Sequence, residues 1–396
     1  MKYVAGRSNL SVTVFVPWDC EKHCPFCTTK EFYSSMECSL PKVLMSLEYL
    51  CSTGIREVVV SGGEPFANLE GLENILQVAS NHGKKVFINT SFPKNLETKD
   101  AVDLISKYRR NLCGINVSRH VETVFSDDDA AFLSEVNSWV PVRINRLVGG
   151  DSIHKVSVKE TEDLVGAVSK FSSSLNFRWD YRKLSEEQLH TINNDFLGHL
   201  FEVPSLSYVR NGECLVCDTF VFHYSRLGDT PYEVRFHRGL PSTFIQKGNY
   251  GFINDLVVFP DGTARLDWGI DSPTLVSYVG DGLHESDVCQ HVISVLNTAF
   301  RSQSSIQLDL RTLADITSRT DNPYDVSSWK EIGHYPPQTT QINPTIRPYI
   351  GSCGGGVRVE DDSVVGSCRC FWTWLGECKL WLWNRRVLWS SCRMSV

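Results

Sequence analysis

Residues Ser11–Lys30 read SVTVFVPWDCEKHCPFCTTK, a short run of β-branched and aromatic side chains that breaks at Pro17 into a loop with three cysteines in eight positions. The run predicts a strand, and the loop sits at its C-terminal end. Outward from it the chain alternates. Val43, Leu47 and Leu50 recur at helical spacing before a second apolar run, Arg56–Val60. Further strand candidates follow at Lys85–Thr90, Leu112–Ser118, Val140–Leu147 and Asn176–Tyr181, with a second helical stripe at Ala101, Leu104, Ile105 and Tyr108. Ser157 with Glu160, and Ser185 with Gln188, have capping-box spacing, and Gly83 marks the stop of a helix between Asn68 and His82. Six strand–helix units in a row imply a parallel sheet with right-handed crossovers, as a curved partial barrel or an open doubly wound sheet.

After about residue 200 the rhythm changes to turn-punctuated strands. Tyr232–His237 alternates, and NDLVVFPDGTARLDW reads as a hairpin turning at Pro260-Asp261-Gly262. The expected organisation is a core over 1–200, a smaller α+β extension over 201–345 packed on it, and an irregular tail over 346–396. That tail holds half of the ten tryptophans without a period of 2 or 3.6. It reads as an extension with no selected fold, an unusual metal-binding or interaction element being the alternative. At 396 residues, 42% apolar and 21% charged, the chain has the composition of a soluble globular protein, with no apolar run long enough for a bilayer. The N-terminus lacks a signal-peptide plan, so a cytoplasmic location is expected. A net charge of −7 argues against a broad nucleic-acid footprint.

In a reducing compartment a tight cysteine cluster is more often a metal or redox site than a set of disulfides. A structural zinc site takes four ligands, commonly as two separated pairs, whereas Cys38, the nearest other cysteine, has no pair partner. Three thiolates on one loop suit an iron–sulfur cube, holding three irons and leaving the fourth open. The pattern Cys20-x3-Cys24-x2-Cys27, with Phe26 before the last cysteine, resembles the signature of the radical S-adenosylmethionine (SAM) superfamily. The second strand ends in Ser61-Gly62-Gly63-Glu64-Pro65, which resembles the turn that contacts the SAM amino group in that family. Glycines admit a ligand close to the backbone, and a carboxylate pairs with an ammonium.

The resemblance implies a partial (β/α)6 TIM-like barrel, a 4Fe-4S cluster on Cys20, Cys24 and Cys27, and SAM as cofactor. Gly62, Gly63 and Glu64 would hold its methionine end, and Phe26 would contact adenine. Ser118 and Asn145 resemble strand-end polar sites that hold ribose or methionine, and alternation puts Arg143 on the face of Asn145. Ser91 stands where many relatives carry Asn. The implied chemistry is reductive cleavage of SAM to a 5′-deoxyadenosyl radical that abstracts hydrogen from substrate, with an electron donor such as flavodoxin or ferredoxin.

In NFRWDYR, Arg178 and Asp180 alternate with aromatic residues and point into the barrel mouth if the aromatic face packs under helices. They would bind a polar, nucleotide-like or peptide substrate, or form an internal ion pair. The strand with Arg235, His237 and Arg238 is basic; a solvated face is its plainer reading. Cys214 and Cys217 are too few for a second cluster of the kind seen in molybdopterin GTP cyclase or SPASM/twitch relatives, and read as buried thiols or zinc ligands. Cys38, Cys51 and Cys113 are expected in the core. The competing reading is a non-catalytic zinc or iron–sulfur binding or regulatory module.

Overall fold

The computed structural model describes residues 2–5, 10–22, 24, 27, 29–93, 96–119, 125–148, 157–179, 195–211, 219–225, 231–237, 244–247, 250–253, 255–301, 357–360 and 363–366. Phe26, Asp180, Ser185, Gln188, Cys214, Cys217, Arg238 and most of the expected tail lie outside these residues. The chain divides into two units, Met1–Glu331 and Ile332–Val396.

In the first unit, a short strand β1 (Lys2–Ala5) precedes the predicted one, β2 (Ser11–Val16). The cysteine loop leads into α1 (Lys30–Ser35) and α2 (Leu40–Cys51), then β3 (Glu57–Gly62) and α3 (Leu69–Asn81). The alternation continues through β4 (Lys85–Thr90), α4 (Thr98–Tyr108), β5 (Leu112–Ser118), α5 (Asp127–Asn137), β6 (Val142–Val148), α6 (Val158–Val168) and β7 (Ser174–Trp179). Strands β2 to β7 pair in sequence order and in parallel.

The helices form where the stripes predict. Val43, Leu47 and Leu50 of α2 are fully buried, as are Ala101 and Ile105 of α4 to within 1%. Each aliphatic side chain so buried contributes about 1.5–3 kcal/mol. Asn68 caps α3 by accepting from Gly71 N at 2.9 Å, and Ser157 with Glu160 closes the expected capping box on α6.

The stretch after residue 200 departs from expectation. A helix over 195–202, α7, is followed by β8 (Leu206–Asn211), β9 (Thr219–Tyr224) and β10 (Tyr232–His237). Instead of packing on the barrel as a smaller region, β10 joins β7 in parallel, and β13 (Asp255–Val258) joins β2 in parallel. Asp255 anchors the second junction, accepting from Ser11 Oγ and Thr13 Oγ1. Eight contiguous strands, β13-β2-β3-β4-β5-β6-β7-β10, are thus parallel within a 13-stranded sheet. Its antiparallel margins are β9 and β8 on one side, and β14 (Ala264–Arg265), β15 (Thr274–Val279) and β16 (Gly282–Glu285) on the other. Among the described residues no pairing closes this sheet into a ring.

The predicted hairpin joins β13 to β14, with Gly262 N donating to Phe259 O at 2.9 Å. Strands β11 (Phe244–Lys247) and β12 (Tyr250–Ile253) form a separate sheet with β1, and α8 (Asp287–Arg301) follows β16. Cys51 is buried as expected, but Cys38 is exposed in the bend between α1 and α2, and Cys113 is half-buried at an irregularity in β5. In the second unit, β17 (Val357–Glu360) and β18 (Ser363–Gly366) form an antiparallel pair. Among the described residues no helix is long and apolar enough to cross a membrane.

The two faces of the parallel sheet differ in chemistry. Val58, Val60, Ile88, Ile115, Val117, Ile144, Leu175, Phe177, Val234 and Phe236 are buried on one face, with Phe177 and Phe236 each against Phe196 of α7. The opposite face carries Ser61, Asn89, Asn116, Asn145 and Asn176, linked in part by side-chain hydrogen bonds. Period-2 alternation, fixed in register by the β-ladders, separates the two.

Candidate cluster and cofactor site

The cysteine loop leaves the C-terminal end of β2, and the Gly-Gly-Glu turn leaves the same end of its parallel neighbour β3. Three side chains tie them together. Trp18 Nε1 donates to Glu64 O at 2.8 Å, and Thr29 Oγ1 donates to Gly62 O at 3.2 Å. Tyr33 of α1 donates to Val16 O at 2.9 Å and accepts from Gly63 N. The glycines are required by this contact: Gly62 has φ +102°, and a Cβ on Gly63 would lie 2.0 Å from Trp18 O.

Glu64 is 1% exposed, and its carboxylate is fully engaged within the protein. Oε1 accepts from Thr90 Oγ1 and from Phe66 N at 3.1 Å; Oε2 accepts from Ser91 N at 2.8 Å and Ser91 Oγ at 2.7 Å. Four donors fill the usual capacity of a carboxylate. The side chain expected to meet an ammonium therefore staples the end of β3 to the end of β4. Ser91, expected only as a substitute for Asn, is the hub of this staple: its carbonyl also accepts from Lys22 Nζ at 3.0 Å and from Arg119 Nη1. Phe92 follows with φ +50°, rare for a bulky residue, and is held by packing on Phe66 and Phe132.

Cys20, Cys24 and Cys27 are half-buried thiols outside any disulfide. Burial is the main cause raising the Cys20 thiol; a backbone hydrogen bond at Lys22 lowers it, and Glu64, Cys24 and Cys27 raise it further. Burial also raises Cys24, and Cys27 adds to this while Lys22 opposes it. The thiols are thus close enough to repel one another as thiolates, and a bound cation would relieve that repulsion while displacing their protons. Among the described residues no three His, Cys, Asp or Glu side chains gather as ligands of a single metal ion would. Three thiolates on one loop are the donor set that an iron–sulfur cube takes, one for each of three irons.

Ser118 ends β5 opposite Asn145 of β6, which in turn stands opposite Asn176 of β7. Asn145 is 7% exposed and accepts from Asn176 Nδ2 at 2.9 Å. Arg143 shares their face but lies one pleat further from the strand ends, its guanidinium 5.2 Å from the centre of the Phe87 ring. Arg178 is exposed near the end of β7, opposite His237 of β10. Sequence reasoning missed Trp18, Thr29, Tyr33, Thr90 and Arg119. Trp18 and Thr29 lie within the quoted motif, and their proximity to the cysteines was the one available signal.

The fold and these residues define an α/β protein with a parallel-rich sheet whose strand ends carry a three-cysteine loop and a Gly-Gly-Glu turn with a buried glutamate. Residues 6–113 match the family model described as 4Fe-4S single cluster domain, a stretch that includes all three cysteines and the turn. A four-iron, four-sulfur cluster, expected from the cysteine spacing, is thereby supported independently. No curated protein matches the chain. Among solved structures, SuiB of Streptococcus suis bound to S-adenosylmethionine is similar at 15% identity and a TM-score of 0.35, over 48% of this chain and 44% of SuiB. SuiB bound to precursor peptide SuiA is similar at 17% identity and a TM-score of 0.36, over 48% and 46%. Type I 3-dehydroquinate dehydratase of Clostridium difficile is similar at 9% identity and a TM-score of 0.31, over 50% and 73%. The chain spans less than half the length of SuiB.

Proposed function

We propose that the protein is a radical SAM enzyme with a partial (β/α)6 barrel core. The observation that carries this reading is the direct bonding of the cysteine loop to the Gly-Gly-Glu turn through Trp18, Thr29 and Tyr33. Two motifs far apart in sequence are held as one unit at the strand ends, where open α/β sheets and barrels bind ligands. Cys20, Cys24 and Cys27 would hold three irons of a 4Fe-4S cluster, and the backbone of Gly62–Glu64 would receive the SAM amino group. Ser118 and Asn145 would orient its ribose or carboxylate, with Arg143 below them. When bound, the cluster and SAM supply one-electron reductive cleavage of the sulfonium and a 5′-deoxyadenosyl radical that abstracts hydrogen. The protein's part is orientation and exclusion of water: Glu64 and Ser91 fix the turn, and Phe66, Phe92 and Phe132 back it with an apolar layer. The partners of such an enzyme are a small-molecule or peptide substrate and a reducing protein such as flavodoxin or ferredoxin.

The test is anaerobic reconstitution with iron and sulfide, then dithionite and SAM. Formation of 5′-deoxyadenosine is expected. An intact cluster with no 5′-deoxyadenosine, or stoichiometric zinc without iron after anaerobic purification, would overturn the proposal.

A further inference from the structure

We infer that the polar face of β6, β7 and β10 is an oxyanion site, built for a small molecule that carries a phosphate or carboxylate beside a hydroxyl or amino group. Naming that molecule the substrate rests on the radical SAM reading; the binding itself does not.

Register brings the groups together. Arg143 stands opposite Ser174, which stands opposite Glu233; Asn145 and Asn176 lead to Arg235; Arg178 pairs with His237. Paired residues across a ladder have Cβ atoms about 4.5–5.5 Å apart, so long guanidinium side chains from these rows reach one another. Gly114 makes room for the innermost of them: a Cβ there would lie 3.3 Å from Arg143 Nη1 and 3.1 Å from Phe87 Cδ1. The Arg143 guanidinium lies over Phe87 and has no hydrogen-bond partner among the described residues, so its N–H edge can make in-plane contacts.

Among the described residues, the positive charge in this face is only partly balanced, and Glu233, a carboxylate beside it, also acts on Arg143. Glu233 is shared between Arg235 and Arg210. Among the described residues no carboxylate oxygen lies within ion-pair distance of Arg143 or Arg178. His237 is held neutral in support of this: burial lowers it well below the usual histidine value, and Arg178, Arg235 and Arg143 lower it further. His237 and Arg143 are both half-buried. Thr219 Oγ1 lies 3.0 Å from His237 Nδ1 and fixes the ring.

An independent observation points to the second group on the ligand. Asn176 is 4% exposed, and its Oδ1 is buried with no hydrogen-bond partner among the described residues. Buried acceptors are rarely left so. Asn176 is the register partner of Arg235, so a ligand whose oxyanion meets the arginines brings an adjacent hydroxyl or amine within reach of this carbonyl. The guanidinium forks supply paired N–H donors that match phosphate and carboxylate oxygens.

The experiment is isothermal titration of the purified protein, without reductant or SAM, using inorganic pyrophosphate in one arm and citrate in the other. At least one anion is expected to bind in the sub-millimolar range, about −4.1 kcal/mol or tighter by the affinity scale, and more weakly as salt is raised. Arg143→Gln and Arg235→Gln should each weaken binding about tenfold or more, while Arg109→Gln, on an exposed residue after α4, should not. Whichever arm binds assigns phosphate or carboxylate. Because either variant could be misfolded, arginine modification by phenylglyoxal is mapped in the unmodified sequence with and without the anion, and protection of Arg143 and Arg235 is expected. Absence of binding in both arms, or binding with neither protection nor loss in the variants, would overturn the site. Since no SAM cleavage is read, that result would leave the radical SAM proposal standing, and failure to form 5′-deoxyadenosine would leave this one standing.

Discussion

Glu64→Gln separates two roles for the residue, a ligand for the SAM ammonium or a staple between strand ends. The carboxylate accepts from Phe66 N, Thr90 Oγ1, Ser91 N and Ser91 Oγ. Glutamine keeps one acceptor oxygen and turns an NH2 group toward two of those donors. Hydroxyls can rotate away, but a backbone N–H cannot, so either Phe66 N or Ser91 N loses its partner in a site that is 1% exposed. An orphaned buried donor costs about 1–3 kcal/mol, and the surviving bonds lose their charge assistance, which brings the sum to about 3 kcal/mol. Against a typical stability of about 5–15 kcal/mol this is a large loss. Urea unfolding of the SAM-free protein should show the midpoint lowered by about 1 M if the slope is about 3 kcal/mol/M. Hydrogen exchange should show faster exchange at the Phe66 and Ser91 amides. If the variant unfolds within about 0.5 kcal/mol of the parent but no longer binds SAM, the carboxylate is a cofactor ligand and the reasoning from its four bonds is refuted.

Three further outcomes follow from the same geometry. Cys24→Ala should abolish the visible absorbance of the reconstituted cluster, while Cys38→Ala, at an exposed cysteine in the bend before α2, should keep it; loss in both would make Cys38 a ligand. Tyr33→Phe removes the hydroxyl that bridges Val16 O and Gly63 N. It should lower stability by about 1–3 kcal/mol and weaken SAM binding, and unchanged values in both measurements would disconnect the loop from the turn. His237 is held below its unfolded value of about 6.5, so the unfolded chain binds more protons below that pH and stability falls as pH drops through it. The contribution approaches about 1.4 kcal/mol per pH unit, and unfolding titrations at pH 7 and pH 5.5 should show it missing in His237→Gln.

The parts legible in the sequence are those where chemistry restricts residue type or where periodicity is local. Cysteine spacing on a loop is such a case, and so are the stripes of α2 and α4. Period-2 alternation correctly put Phe177 under a helix, where it meets Phe196, and Arg178 on the other face. Illegible were contacts whose partners are distant in sequence. Asp255 reaches Ser11 and Thr13 across more than 240 positions, and nothing local announces that β13 will extend the core sheet. Trp18 and Tyr33 act on backbone atoms of another segment, which carry no side-chain signature.

Glu64 shows that a motif names residue types and leaves their partners unstated. A glutamate after two glycines reads as a charge offered to a ligand, because sequence gives residue types without their partners. Thr90 and Ser91 engage that charge within the protein, and Gly63 is the more restrictive position, since any Cβ there collides with Trp18 O. The same reasoning runs in the opposite direction for Arg143, which the motif assigned to the cofactor. Its guanidinium has a stacking partner and no ion-pair partner among the described residues. A buried residue with spent bonding capacity builds the site, and one with capacity left over awaits a ligand; on that criterion Glu64 belongs to the first kind and Arg143, with Asn176, to the second.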